Sequence, residues 1–175
     1  MENANYTIDT NTGELVFDDG IEIIAYRDIP EEEKQKIKSI VIPDSVKEIN
    51  NYAFEYMEKL EKVIFPEGLE RIGEVAFFSC KKLKEVIFPK SLRSIESKAF
   101  AECSALTHIV ISRTTSSLEI KDEDYLEIED EAFADCVRLS NVEMKEGAFE
   151  TTILYDQVFE NTAFLKELRK KDPLV

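Results

Sequence analysis

A period of 23 residues constrains this chain more than any other feature. Ala-Phe occurs at Ala53-Phe54, Ala76-Phe77 and Ala99-Phe100, and again at Ala132-Phe133 after ten extra residues. Other apolar positions keep the same step. Leu60, Leu83, Leu106 and Leu139 follow each Phe, then Val63, Val86, Ile109 and Val142, then Phe65, Phe88, Ile111 and Met144. Ile49, Ile72, Ile95 and Ile128 precede each Ala, and a partial earlier copy supplies Ile37, Ile40 and Ile42. Self-similarity at this spacing is the signature of a solenoid. One unit of this length cannot bury its own apolar side, so neighbouring units must stack.

The segments KSIVI, EKVIF, KEVIF, THIVI and SNVEM are rich in β-branched residues and end at Pro or a polar residue, so they read as strands. A full crossover helix does not fit in the residues that remain. The predicted fold is therefore an α/β solenoid. Each coil returns its strand beside the previous one in a parallel sheet, with a second short strand after the proline and a helical or 3₁₀ turn at Ala-Phe. Phe54, Phe77, Phe100 and Phe133 are the expected core wedges. Cys80, Cys103 and Cys136 share one position of the repeat, which Met57 fills in the first copy. Cys and Met exchange readily at buried sites, so these are expected to be buried structural thiols. The absence of a CxxC pair argues against a metal site.

The pattern L..V.FP..L..I...AF..C resembles the BspA-like leucine-rich repeats of bacterial surface proteins and some protozoa. The likeness is strong over residues 37–144. It implies a leucine-rich-repeat-like right-handed coil, a non-catalytic protein-binding or adhesion role, and a secreted or cell-surface setting. The expected organisation is a single repeat domain over 1–175. Residues 1–36 form an N-terminal hairpin and cap, with the hairpin turning at Asn11-Thr12-Gly13, and 37–112 carry regular repeats. An insertion follows at 113–124, a fourth unit at 125–144, and a degenerate last repeat with a C-terminal cap helix at 145–175. In that last unit Val158-Phe159 stands for Ala-Phe and Thr162 for Cys, and DQVFENTAFLKELRKK reads as an amphipathic helix from Asp156. The start MENANYTIDTNTGELVF lacks the basic and apolar regions of a secretory signal. The chain is either intracellular or had such a signal removed.

Alternate strand residues point to opposite faces. With Val63 and Phe65 inward, the outward column is Val41, Ile64, Ile87, Val110 and Glu143. Four aliphatics in a row, flanked by Lys62, Glu85, His108 and Asn141, suggest a partner-binding strand face, or weak homo-association through it. The same pattern also suits a sheet with no partner. The insertion, with Lys121, Asp122, Glu123, Asp124 and Tyr125, is a second candidate contact that would steer a basic partner. Its carboxylates lack the spacing and glycine of an EF-hand loop, so calcium is not expected and a solvated acidic surface is.

The formal net charge is −15. It is concentrated outside the middle: residues 1–36 hold ten acids against three bases, residues 37–118 eleven against twelve, and residues 119–150 twelve against three. Such a balance opposes nucleic acid and anionic membranes. No stretch approaches 18 apolar residues, so no membrane insertion is expected. His108, the one histidine, has no oriented nucleophile nearby. No glycine cluster forms a phosphate loop. The chain thus reads as a non-enzymatic protein-binding module needing no cofactor. The alternative is a structural, self-associating unit of a larger array.

Overall fold

The computed structural model describes residues 6–26, 28–112, 125–145 and 152–171. The chain winds as a right-handed solenoid of parallel strands with short turns. It opens with an antiparallel hairpin of β1 (Tyr6–Asp9) and β2 (Glu14–Phe17). The Asp9 carboxylate accepts the N–H groups of Asn11 at 2.8 Å and Thr12 at 3.3 Å, and Gly13 closes the turn at φ +76°. A Cβ at residue 13 would lie 2.8 Å from the Lys36 carbonyl, so glycine is required there.

Strand β2 starts the first parallel column, which continues through β4 (Ser39–Val41) to β6 (Lys62–Ile64). The column resumes with β8 (Glu85–Phe88), β10 (His108–Ile111) and β12 (Asn141–Met144). The second column is unbroken: β3 (Ile23–Ile24), β5 (Glu48–Ile49), β7 (Arg71–Ile72), β9 (Ser94–Ile95), β11 (Leu126–Ile128) and β13 (Thr152–Leu154). Two short helices complete the described residues, α1 (Glu31–Lys34) in the N-terminal cap and α2 (Ala163–Lys171) at the other end.

A third hydrogen-bonded column runs through the Ala-Phe turns. The N–H of Phe54 donates to the carbonyl of Ala76, Phe77 to Ala99, Phe100 to Ala132 and Phe133 to Val158, at 2.7 to 2.9 Å. Each turn lies between two residues of positive φ, such as Val75 and Ser79 or Lys98 and Glu102. The bond from Phe100 to Ala132 spans the insertion, so ten extra residues leave the stacking of coils intact.

The core is a ladder of rings. Phe77 and Phe100 stack with centroids 4.9 Å apart and planes 4° from parallel, and Phe100 and Phe133 stack at 5.4 Å. Phe17 meets Phe54 edge-on at one end, and Phe164 meets Phe159 edge-on at the other. Phe54, Phe77, Phe100 and Phe133 are wholly buried, as are Cys80, Cys103 and Cys136. The thiols have a specific reason to follow Ala-Phe. Each Sγ donates to the Phe carbonyl of the preceding coil: Cys80 to Phe54 at 3.3 Å, Cys103 to Phe77 at 3.2 Å, Cys136 to Phe100 at 3.1 Å. A small, weakly donating group satisfies a buried acceptor there.

Two expectations need correction. The strand sheet is not continuous, because no backbone ladder joins β6 to β8. At this gap Phe65 and Phe88 stack with ring centroids 6.0 Å apart. The same position holds Ile42, Ile111 and Met144 elsewhere. The C-terminal helix also begins at Ala163, not Asp156. Gln157 and Asn161 have positive φ, so this stretch repeats the Ala-Phe turn and places Val158 and Phe159 in the core. Thr162 does not copy the cysteine bond. Its hydroxyl donates to Phe159 within its own coil and accepts the N–H of Leu165, capping the helix.

Candidate functional site

The first strand column presents its outward residues side by side. Register aligns Val16, Val41 and Ile64 on one side of the break, and Ile87, Val110 and Glu143 on the other. Ile64 is 44 % exposed and Ile87 58 %. Val41 is half-buried and Val16 is exposed, so the row extends into the hairpin, beyond the repeat period that pointed to it. Val110 breaks the expected row, being only 6 % exposed. It stands in register between Ile87 and Glu143.

Beside this row, Lys62, Glu85 and Asn141 are exposed. His108 stands in register with Glu85 and Asn141. Its ring is half-buried, with Nδ1 3.2 Å from Glu85 Oε1 and Nε2 3.5 Å from Glu143 Oε2. The parallel ladder sets Glu85 directly beside it, and Glu143 lies two residues along the strand on its other side. Lys145, by a hydrogen bond and its charge, and then His108 hold the Glu143 carboxyl below the usual range. Lys84 does the same for Glu61 through a 2.7 Å bond that bridges the two coils at the break.

Where the ladder parts, a groove of about 680 Å³ opens on this face. Ile64, Phe65, Ile87, Phe88 and Pro89 supply its apolar walls, and Lys62, Lys84, Lys90, Glu61, Glu67 and Glu85 rim it with equal numbers of each charge. An apolar cleft with a mixed polar rim suits contact with another protein better than capture of an ion.

The second predicted contact lies mostly outside the described residues. Lys121, Asp122, Glu123 and Asp124 are not among them, and Tyr125 is half-buried at the entry to β11. Among the described residues, no group of three His, Cys, Asp or Glu is placed to hold a metal ion, and no helix is long and apolar enough to cross a membrane. Burial pushes the Cys103 and Cys136 thiols well up from their ordinary pKa, which disfavours the reactive thiolate.

One cluster escaped the sequence reading. Tyr26, Tyr52 and Tyr56 are exposed on the turn side of the first coils, and Phe78 packs against Tyr56. Reading the repeat column by column would have exposed it. The positions of Tyr52 and Tyr56 hold Val75, Lys98 and Glu131, and Ser79, Glu102 and Asp135, in later coils.

A family model described as the BspA type leucine rich repeat region matches residues 32–122 and 114–174. Among solved structures, a leucine-rich repeat protein of T. pallidum is 17 % identical with a TM-score of 0.55, covering 97 % of this chain and 92 % of that one. A leucine-rich cell surface protein of Faecalibacterium prausnitzii is 21 % identical with a TM-score of 0.58, covering 92 % of this chain and 45 % of that one. A leucine-rich repeat protein of Eubacterium ventriosum is 22 % identical with a TM-score of 0.52, covering 92 % and 50 % respectively. The chain thus spans about half of the last two. No curated protein matches it. At these identities the likeness to solved structures is one of fold.

Proposed function

Because this chain belongs to the BspA type leucine-rich repeat family, we propose that it is a non-catalytic module that binds another protein through its strand face, in a cell-surface or secreted setting. One observation carries this reading: the groove at the parted ladder, with Ile64 and Ile87 exposed beside it. Aliphatic side chains cost about 25 cal/mol for each Å² left in water, and a partner that covers them recovers that cost. The F. prausnitzii relative, described as a cell surface protein, supports the setting. Lys121 to Tyr125 would form a second contact that draws a basic partner.

The test is a cross-linking capture of surface proteins with the wild-type chain and with the double variant Ile64→Thr/Ile87→Thr. Both threonines suit a strand, so the fold and melting temperature should hold. A defined partner should be captured by the wild type and lost by the variant. Equal capture by both would remove the strand face from the function. An aliphatic row also fits a second copy of the same chain. Sedimentation decides between the two: a concentration-dependent oligomer that the variant abolishes favours self-association.

A further inference from the structure

We propose that the turn side of the first two coils carries a separate docking surface, an aromatic and acidic patch that binds an arginine- or lysine-rich peptide. Tyr26, Tyr52 and Tyr56 are 41 %, 40 % and 49 % exposed. They are arranged in edge-to-face pairs, Tyr26 with Tyr52 at 6.1 Å and Tyr56 with Phe78 at 5.5 Å. The Tyr26 ring covers the buried Lys34, but the repeat does not require rings at Tyr52 and Tyr56. Tyr52 and Tyr56 sit at φ 63° and 57°, a region that disfavours bulky side chains, and the later coils fill the same positions mainly with charged or small polar residues. Tyrosine is a rigid contact residue with few rotamers to freeze, so it binds at low entropic cost.

The chemistry around the rings selects a cation. The chain already places one of its own there. The wholly buried Lys34 holds its Nζ 5.1 Å above the Tyr26 ring and 2.5 Å from Glu31 Oε1. A ring face with a carboxylate beside it is therefore a working ammonium site in this fold. Glu55 lies between Tyr52 and Tyr56 on their coil, and Glu74 lies on the next coil, where its carbonyl accepts the Tyr52 N–H at 3.0 Å. Among the described residues neither carboxylate makes an ion pair within 4 Å, and the Lys34 charge offsets only part of the burial that raises the Glu55 pKa. Residues 1–36, the segment that supplies Tyr26 and Glu31, hold ten acids against three bases and so contribute a negative potential. That potential steers a basic segment inward, and guanidinium or ammonium groups then stack on Tyr52 and Tyr56. This surface is distinct from the groove on the strand column, and neither depends on the other.

The test is fluorescence anisotropy with a labelled peptide of alternating arginine and glycine at physiological salt. The wild-type chain should bind it. Tyr52→Asn/Tyr56→Asn leaves the net charge unchanged and places at both positions a residue that tolerates positive φ, so folding is kept. Losing two cation–ring contacts should weaken binding about tenfold. Glu55→Gln/Glu74→Gln should also weaken it, while Ile64→Thr/Ile87→Thr should leave it unchanged. If the double asparagine variant loses structure, Tyr56→Asn alone gives the same reading at smaller size. Absence of wild-type binding overturns the proposal. So does equal binding by the asparagine variant, since bulk charge would then be the whole attraction.

Discussion

Replacing Phe100 by alanine tests whether the ring ladder carries the stability of the solenoid. Phe100 is wholly buried, stacks on Phe77 at 4.9 Å and Phe133 at 5.4 Å, and meets Phe88 edge-on at 5.6 Å. Its neighbours are held by backbone bonds on two columns toward Phe77 and on three toward Phe133, and cannot collapse into the space left behind. The loss should therefore reach the upper part of the range for such truncations, about 4 kcal/mol. For a chain of this length that corresponds to a fall in Tm of roughly 8 to 16 °C. Phe159 is the control. It stacks on Phe133 alone at 5.7 Å, touches Phe164 edge-on in the terminal helix, and is slightly exposed. A helix at the end of the stack can settle into the gap, so Phe159→Ala should cost about 2 kcal/mol. Coils couple only to neighbours. Losing Phe100 also weakens the joint between the regular coils and the coil after the insertion, and the urea slope should fall as the two parts unfold less together. Urea melts followed by far-UV circular dichroism measure both quantities. A loss below about 2 kcal/mol at Phe100, or an equal loss at Phe159, would refute the stacked-ring account.

Three further outcomes are expected. Gly73→Ala should destabilise by about 1–3 kcal/mol in the same melts, because its Cβ would fall 2.7 Å from the Asn51 nitrogen and 2.8 Å from the Asn50 carbonyl carbon. Val75→Asn should raise stability by about 1 kcal/mol, since a β-branched residue at φ 60° is strained and asparagine tolerates that region. Burial first, and then the carboxylates of Glu96, Glu127 and Asp130, raise the Glu129 pKa against the N–H of Ser97. The folded state therefore holds that proton more tightly than the unfolded chain. Its contribution is full below the ordinary glutamate range and is lost as pH rises through the raised value. Glu129→Gln should accordingly gain stability over wild type at pH 7 and not at acid pH, as read from melts across that range.

The period, the inward Phe, Leu and Ile positions and the buried cysteines were legible from spacing alone. Each is a consequence of stacking units that cannot bury their own apolar side, and stacking imposes identical choices on every coil. The hairpin was legible for a local reason, since Asp9 and Gly13 close the turn within five residues. What the repeat could not reveal arises between coils. Phe65 and Phe88 are individually ordinary occupants of their position, and only the packed stack shows that they meet where the ladder parts and the groove opens. The sequence marked His108 only as a flank of the strand face, and register brings Glu85 beside it and Glu143 within 3.5 Å. Val110 looked like the next outward aliphatic, yet in the packed stack it is buried. The tyrosines are far apart in sequence and become one surface only when Tyr26 of the entry segment folds against Tyr52. Local chemistry and periodicity thus determined the coil and its interior. Contacts between coils decided which outward residues remain available to a partner, because exposure belongs to the packed stack and not to any one repeat.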